Sequence, residues 1–387
     1  MDTGTFAFMI HPLDAGYFAR KFPITSRLPE SVMEAISRRL PPIKVAPIRG
    51  VESVHNQADG WFVACPLTSR QMLGLPEDLV LRKIIQTGRM AEKLGARVLG
   101  LGAFTKVVGD AGVTVARHLS IPVTTGNSYT VATGLEETRR AATVMGHDLG
   151  RCEVAVVGAT GSIGSVAAQI LAREVRHLTL VGRDPAKLDR LARAITGHTG
   201  LVPRVSTSVS QSLSQADVIL SSSSAVDAII QPEDLKPGAV VCDLARPRDV
   251  ARQVAEARDD VLVLDGGVVQ VPGDHVDLGF NFGFPPGTVM ACMAETMILA
   301  LENRYESYTL GRDLTVAQVD EMERLAAKHG FRTTGFRSFE RALSQSEVDQ
   351  IRANAQRRLT TAPEPRRTAI LPGRSEPQTE VRAGMAD

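Results

Sequence analysis

Residues 153–165 read EVAVVGATGSIGS. Glu153 to Val157 alternate and then run apolar as a strand buried in a parallel sheet does, and SVAAQILARE behind the glycines has a helical pattern. Between them, Gly158, Gly161 and Gly164 let the chain turn tightly, let backbone N–H groups approach a pyrophosphate, and let the helix pack on the strand. The spacing is G-x-x-G-x-x-G, not the usual G-x-G-x-x-G, so the strand before it and the helix after it carry the assignment. The plain alternative is a tight βα turn without a ligand.

Working outward, LTLVGRD is the second strand. It ends at Gly182 and Arg183, where a chain that binds NAD usually places an acidic residue for the ribose 2′-hydroxyl. Arg183 favours a 2′-phosphate and therefore NADPH; the alternative is a solvated Arg183 with Asp184 on the ribose. ADVILSSSS, AVVCDLARP and VLVLDGGVV read as further strands, and ligands of open parallel sheets sit beyond the carboxyl ends of strands. The expected cofactor-lining positions are Gly158, Thr160, Gly161, Ser162, Ile163, Gly164, Arg183, Ser222 within Ser221 to Ser224, Ala245, Gly266, Gly267 and Val268.

The amino-terminal part also alternates strand and helix: TFAFMIH, the helix SRLPESVMEAISRRL, the strand GWFVACPL, a helix over 76–94, and the strand ARVLGLGAF. The fold class is thus α/β, a Rossmann-type doubly wound parallel sheet with a second α/β substrate domain. We expect a substrate domain over 1–128 and an NADP-binding domain over 129–285. A helical segment over 286–360, packing back on the first domain, and a disordered tail over 361–387 complete the layout.

With a net charge of +1 and 4% aromatic residues, nothing points to nucleic acid or a membrane surface as the main partner. The four cysteines, at 65, 152, 242 and 292, lack C-x-x-C spacing, so free thiols in a reducing compartment are expected, with no metal site. No stretch reads as a signal peptide or a membrane span, which predicts a soluble cytoplasmic protein.

Two stretches carry candidate chemistry. Thr124 to Ser128, TTGNS, precedes a helix from about Tyr129 to Met145 and either caps it or contacts substrate or nicotinamide. Cys292 lies in the first turns of the helix VMACMAETMILALENRYE, where the helix dipole favours thiolate; the alternative is a small buried apolar residue. The Met290, Met293 and Met297 stripe of that helix reads as core.

TTGNSYTVATGLEETRRAATVMGHDLGRCEVAVVGATGSIGS resembles the corresponding block of the long-chain acyl-[acyl-carrier-protein] reductases, which make fatty aldehydes. LGLGAFTKVV, LDGGVV and VMACMAETMILALE resemble the same family in the same order, over roughly residues 95 to 331. The resemblance implies NADPH-dependent reduction of an acyl thioester, delivered by acyl carrier protein or coenzyme A. It places the nucleophile at Cys292 and Thr125 and Asn127 beside it. An acidic carrier would want a basic surface, and Arg38, Arg39, Lys44 and Arg49 form the densest local run, unless they are a solvated helix end. ADVILSSSS followed by IIQPEDLKPGAVVCDLARPRDV is also similar to the nucleotide domains of glutamyl-tRNA reductases and shikimate dehydrogenases, which suggests another oxidoreductase as an alternative. A nucleotide-binding protein without turnover is a third reading.

Overall fold

The computed structural model describes residues 3–12, 14, 16, 29–225 and 227–361. From residue 362 on, the expected tail lies outside the described residues.

The first sheet holds β1 (Gly4–Ile10), β2 (Ile43–Glu52), β3 (Gln57–Ala64), β4 (Leu99–Leu101) and β5 (Val123–Thr124) in the order β2-β3-β1-β4-β5. All neighbours are parallel except the β2–β3 hairpin. Both faces of β1 are covered: Phe6 and Phe8 enter the main core, while Ala7 and Met9 enter a separate core beneath the helices of this half. Those helices are α1 (Glu30–Ser37), α2 (Ser69–Gly74), α3 (Glu77–Lys93) and α4 (Val113–Arg117).

Sequence reading finds no strand where β2 runs. Pro47, tolerated on an edge strand, and two register shifts interrupt its pattern. Lys44 and Arg49 therefore lie on β2 and do not extend a helix end; Lys44 sits over the Trp61 ring at 3.8 Å, and only Arg38 and Arg39 follow α1.

α5 (Asn127–Met145) leads to the second sheet, made of β6 (Glu153–Val157), β7 (His177–Val181), β8 (Arg204–Ser206), β9 (Val218–Ser221), β10 (Val240–Asp243) and β11 (Leu262–Asp265). Helices α6 (Ser162–Leu171), α7 (Pro185–Thr199), α8 (Val209–Leu213) and α9 (Arg252–Ala257) connect its strands. The order is β8-β7-β6-β9-β10-β11 and every pair is parallel. Strand order reverses between β6 and β9, which opens a crevice at their carboxyl ends. This is the doubly wound Rossmann arrangement.

Beyond β11 the chain returns to the first sheet. After β12 (Val268–Gln270), Asp277 exchanges two backbone hydrogen bonds of 2.9 Å with Arg49 of β2. β13 (Thr288–Met290) then pairs with β12 and opens α10 (Ala291–Leu301). α10 lies on β1 and β4 at backbone distance: a methyl on Gly100 would sit 2.1 Å from Thr296 Oγ1, and one on Gly4 2.3 Å from the Ala300 carbonyl oxygen. α11 (Val316–His329) packs on α5 and α10 and reaches the first half through His329, whose Nδ1 lies 2.8 Å from Ser53 Oγ. α12 (Gln345–Thr361) is the last described element. Among the described residues, no helix is long and apolar enough to cross a membrane.

Candidate active site

The glycine turn is built as its sequence demands. Gly158 has φ +76°, and a methyl there would meet Ser222 and Ser223 backbone atoms at 2.9 Å. A methyl on Gly164 would lie 2.4 Å from the Gly158 carbonyl oxygen and 3.0 Å from Ser222 Oγ. Gly161 is less constrained; its amide closes the turn onto the Gly158 carbonyl oxygen at 2.9 Å. The Gly158 and Ala159 amides are spent on the Val181 carbonyl, whereas the first amides of α6, from Ser162 to Gly164, have no partner within their own helix. Ser222 Oγ is buried beside them without a hydrogen-bond partner among the described residues. Unpaired amides at a helix start, no side chain to block approach and an unused hydroxyl fit a pyrophosphate.

Carboxylates shape the neighbouring loops. Asp249, fully buried, accepts from the Ser221 and Ser223 hydroxyls and from the Ser223 amide. Asp243 takes the amides of Ala245, Asp249 and Val250, and burial holds its carboxyl up at about 6. Sequence reading missed both. For Asp243 the available signal is its place at the carboxyl end of the strand in AVVCDLARPRD, where a carboxylate can tie the following loop; Asp249 lies within that loop.

Arg183 is exposed just past β7, and its neighbour Gly182 lies against Thr160 of the glycine turn. Asp184 is occupied: it accepts from the Lys187 amide at 3.1 Å as the cap of α7 and pairs with Lys187 Nζ at 3.7 Å.

Cys292 is the second residue of α10, and every other residue of that helix is buried. A methyl on Gly126, whose φ is +73°, would lie 2.3 Å from Cys292 Cα, so TTGN and the cysteine are in direct contact. On the other side, the Ala291 amide donates to the Gly267 carbonyl at 2.7 Å, which ties the end of β11 to the residue preceding Cys292. Glycines of two separate loops thus touch Cys292 and the residue before it.

Glu295, fully buried one turn along α10, holds this junction. It accepts from Thr124 Oγ1 at 2.5 Å, Ser128 Oγ at 2.5 Å, the Tyr129 amide at 3.0 Å and Thr309 Oγ1 at 2.8 Å. TTGNS therefore does not cap α5 with its own side chains: Gly126 is the cap residue and a carboxylate from another helix satisfies the first turn. A lone glutamate inside the apolar run ACMAETMILAL was the readable signal, because a buried charge needs several donors.

Asn127 Nδ2 donates to Ser162 Oγ of α6 at 3.2 Å, and its Oδ1 accepts from Lys106 Nζ at 2.8 Å. Lys106 also donates to the Thr125 carbonyl at 3.2 Å. Thr125 turns its hydroxyl to Thr309 at 3.0 Å and is buried. Val268 is buried in the β12–β13 ladder, and the backbone of Ala245 is engaged by Asp243 and Arg246. All three are buried, whereas Asn127 is bonded to Ser162 and Gly267 to Ala291 beside Cys292.

Expectation and structure part on the thiol's acidity. Burial pushes the Cys292 thiol above its ordinary range; Lys106 opposes this, Glu295 reinforces it, and the first amides of α10 oppose it more weakly. The helix end alone does not prevail.

Comparison with known proteins bears on the second sheet first. A family model described as shikimate/quinate 5-dehydrogenase matches residues 139–265. This stretch is a shikimate dehydrogenase-like Rossmann domain. The chain is 31% identical over 302 residues to the aminotransferase PigE of a Serratia species, covering 76% of this chain but 34% of PigE, so it spans about a third of that protein. It is 29% identical over 264 residues to the long-chain acyl-[acyl-carrier-protein] reductase of Synechococcus elongatus, covering 65% of this chain and 75% of the reductase. To glutamyl-tRNA reductase of Sorangium cellulosum it is 26% identical over 263 residues, 65% of this chain and 45% of the relative. Its relatives thus include reductases.

Proposed function

We propose that the protein is an NADPH-dependent reductase that converts a long-chain acyl thioester, presented on acyl carrier protein or coenzyme A, to a fatty aldehyde through acyl-Cys292. The observation that carries this reading is the junction itself. One glycine of TTGN lies on Cys292, and the next residue, Asn127, is bonded to Ser162 at the start of the dinucleotide helix. The chain that positions the thiol thus also contacts the proposed cofactor loop. Likeness to the Synechococcus reductase supports the same assignment.

In this reading the amides of α6 and Ser222 hold the pyrophosphate, and Arg183 the 2′-phosphate. When bound, the cofactor supplies the hydride. Cys292 displaces the carrier thiol and takes the acyl group as a new thioester, an exchange with little change in free energy. Once reduced, the carbonyl carbon loses the Cys292 sulfur, and aldehyde and free thiol result. Thioester, NADPH and one proton thus give aldehyde, carrier thiol and NADP⁺.

Cys65 is less suited to this role, being fully buried in the first half with its thiol pushed up to about 11 by desolvation. The test is incubation with a long-chain acyl thioester and NADPH, followed by assay for aldehyde and for acyl mass on the Cys292 peptide. Neither acylation nor NADPH oxidation would leave a nucleotide-binding protein. Acylation that survives Cys292→Ala and disappears in Cys65→Ala would move the chemistry to the first sheet.

A further inference from the structure

Lys106 has no place in the sequence reading beyond lying in LGLGAFTKVV, yet its position is specified several times over. It ends the short 3-10 turn Ala103–Lys106, which Ala103 enters at φ +45°, a left-handed value that strains a residue with a side chain. Thr105 Oγ1 fastens this turn to the Gly102 carbonyl at 2.7 Å, and a methyl on Gly102 would lie 2.7 Å from the Met9 carbonyl oxygen. The turn therefore has little freedom to relax.

The partners of Lys106 are two neutral oxygens, the Thr125 carbonyl and Asn127 Oδ1. These flank Gly126, the residue pressed on Cys292. Among the described residues Lys106 forms no ion pair, so its charge is not cancelled by a carboxylate. The amide of Asn127 is orientated by its other bond: with Nδ2 on Ser162 Oγ, Oδ1 faces the ammonium. The other charged group facing the thiol, Glu295, pushes in the opposite sense, but both its oxygens are taken up by the donors of TTGNS and Thr309.

We propose that Lys106 is the positioning cation of Cys292: held by Thr125 and Asn127, its ammonium stabilises the thiolate that a helix end in a buried site does not stabilise alone. The consequence for catalysis rests on the thioester reading; the effect on the thiol does not. Lys106→Met should lower the charge facing the sulfur without altering the first turn of α10, whereas Lys106→Arg should keep it.

The experiment measures iodoacetamide alkylation of Cys292 in the full chain by peptide mass, as a rate at pH 7 and as a profile carried up to pH 11, because burial already holds the thiol above its ordinary range. Cys65, Cys152 and Cys242 are buried, so Cys292 is the accessible target. In Lys106→Met and in Lys106→Gln the midpoint should rise by about one pH unit, a roughly tenfold loss of rate at neutral pH, with Lys106→Arg close to wild type. Circular dichroism checks that each variant folds, and the second neutral variant covers failure of the first. Midpoints unmoved in the neutral variants, or an arginine variant shifted as far as they are, would overturn the assignment. A normal set of midpoint shifts in a protein that makes no aldehyde would instead defeat the thioester reading and leave Lys106 in its role.

Discussion

Cys242 and Cys292 have similar surroundings and different prospects. Each has a buried glutamate nearby and a glycine that packing requires: a methyl on Gly266 would lie 2.8 Å from Cys242 Sγ, as one on Gly126 would strike Cys292. Cys242 lies in the middle of β10, fully buried, with its sulfur 3.6 Å from the Gly134 carbonyl. Burial and then Glu137 push its thiol far up, and burial holds Glu137 itself at about 8. Desolvation raises the Cys292 thiol too, but it has a lysine opposing this, a glutamate already satisfied by other donors, and a partly exposed side chain. A sulfur beside a carboxylate is therefore core unless a cation and an opening accompany it.

The largest effect tests that contrast directly. Cys292→Ala should reduce aldehyde formation by about 10³-fold or more while the melting temperature changes little, because the side chain is partly exposed and its loss leaves no closed cavity. Cys242→Ala should do the reverse, retaining turnover and losing about 1–2 kcal/mol of stability to the void. Steady-state kinetics and urea melts on both variants separate the two outcomes; turnover lost equally in both would erase the distinction.

A smaller effect comes from the two ends of α5. Gly126 and Gly146 bound the same helix with nearly the same left-handed backbone, φ +73° and +85°, yet a methyl on Gly146 meets nothing within 4 Å. Gly146→Ala should cost only the strain, about 1 kcal/mol, and leave activity intact. Gly126→Ala should add the clash with Cys292, raising the loss to about 2–4 kcal/mol and slowing acylation at least tenfold. Equal losses at the two sites would mean that α10 shifts freely and that the contact does not hold the thiol.

What could be read in advance follows the range of the forces involved. Glycine turn, parallel strands and the apolar α10 were legible because their causes lie within a few residues: Gly158 and Gly164 leave no room for a side chain, and the runs around Val157 and Leu299 are buried on all sides. β2 was hidden because Pro47 and its bulges break the alternation that marks a strand. Lys106 was hidden for another reason. Its role depends on residues 125 and 127 and on a cysteine much further along the chain, and no local pattern in AFTKVV reports that meeting. Glu295 stood between, visible as a charge in an apolar helix but without a hint that TTGNS and Thr309 were its partners.

The smallest effect concerns the far end of the crevice and tests which nicotinamide cofactor the proposed reaction would use. Arg183 is exposed beside the glycine turn, and Asp184 is committed to capping α7. A carboxylate so engaged is a poor acceptor for a ribose hydroxyl, whereas an exposed guanidinium can pair with a 2′-phosphate in two parallel hydrogen bonds. Arg183→Asp reverses that charge outside the helix cap, so the fold should be unaffected. NADPH should bind about ten- to thirtyfold more weakly and NADH less than about threefold, and 0.5 M salt should shrink the NADPH difference because the pair is solvent-facing. Fluorescence titration of both cofactors at two ionic strengths measures this. Equal weakening of both would place Arg183 away from the phosphate and return the ribose to another residue, with the thiol chemistry at Cys292 untouched.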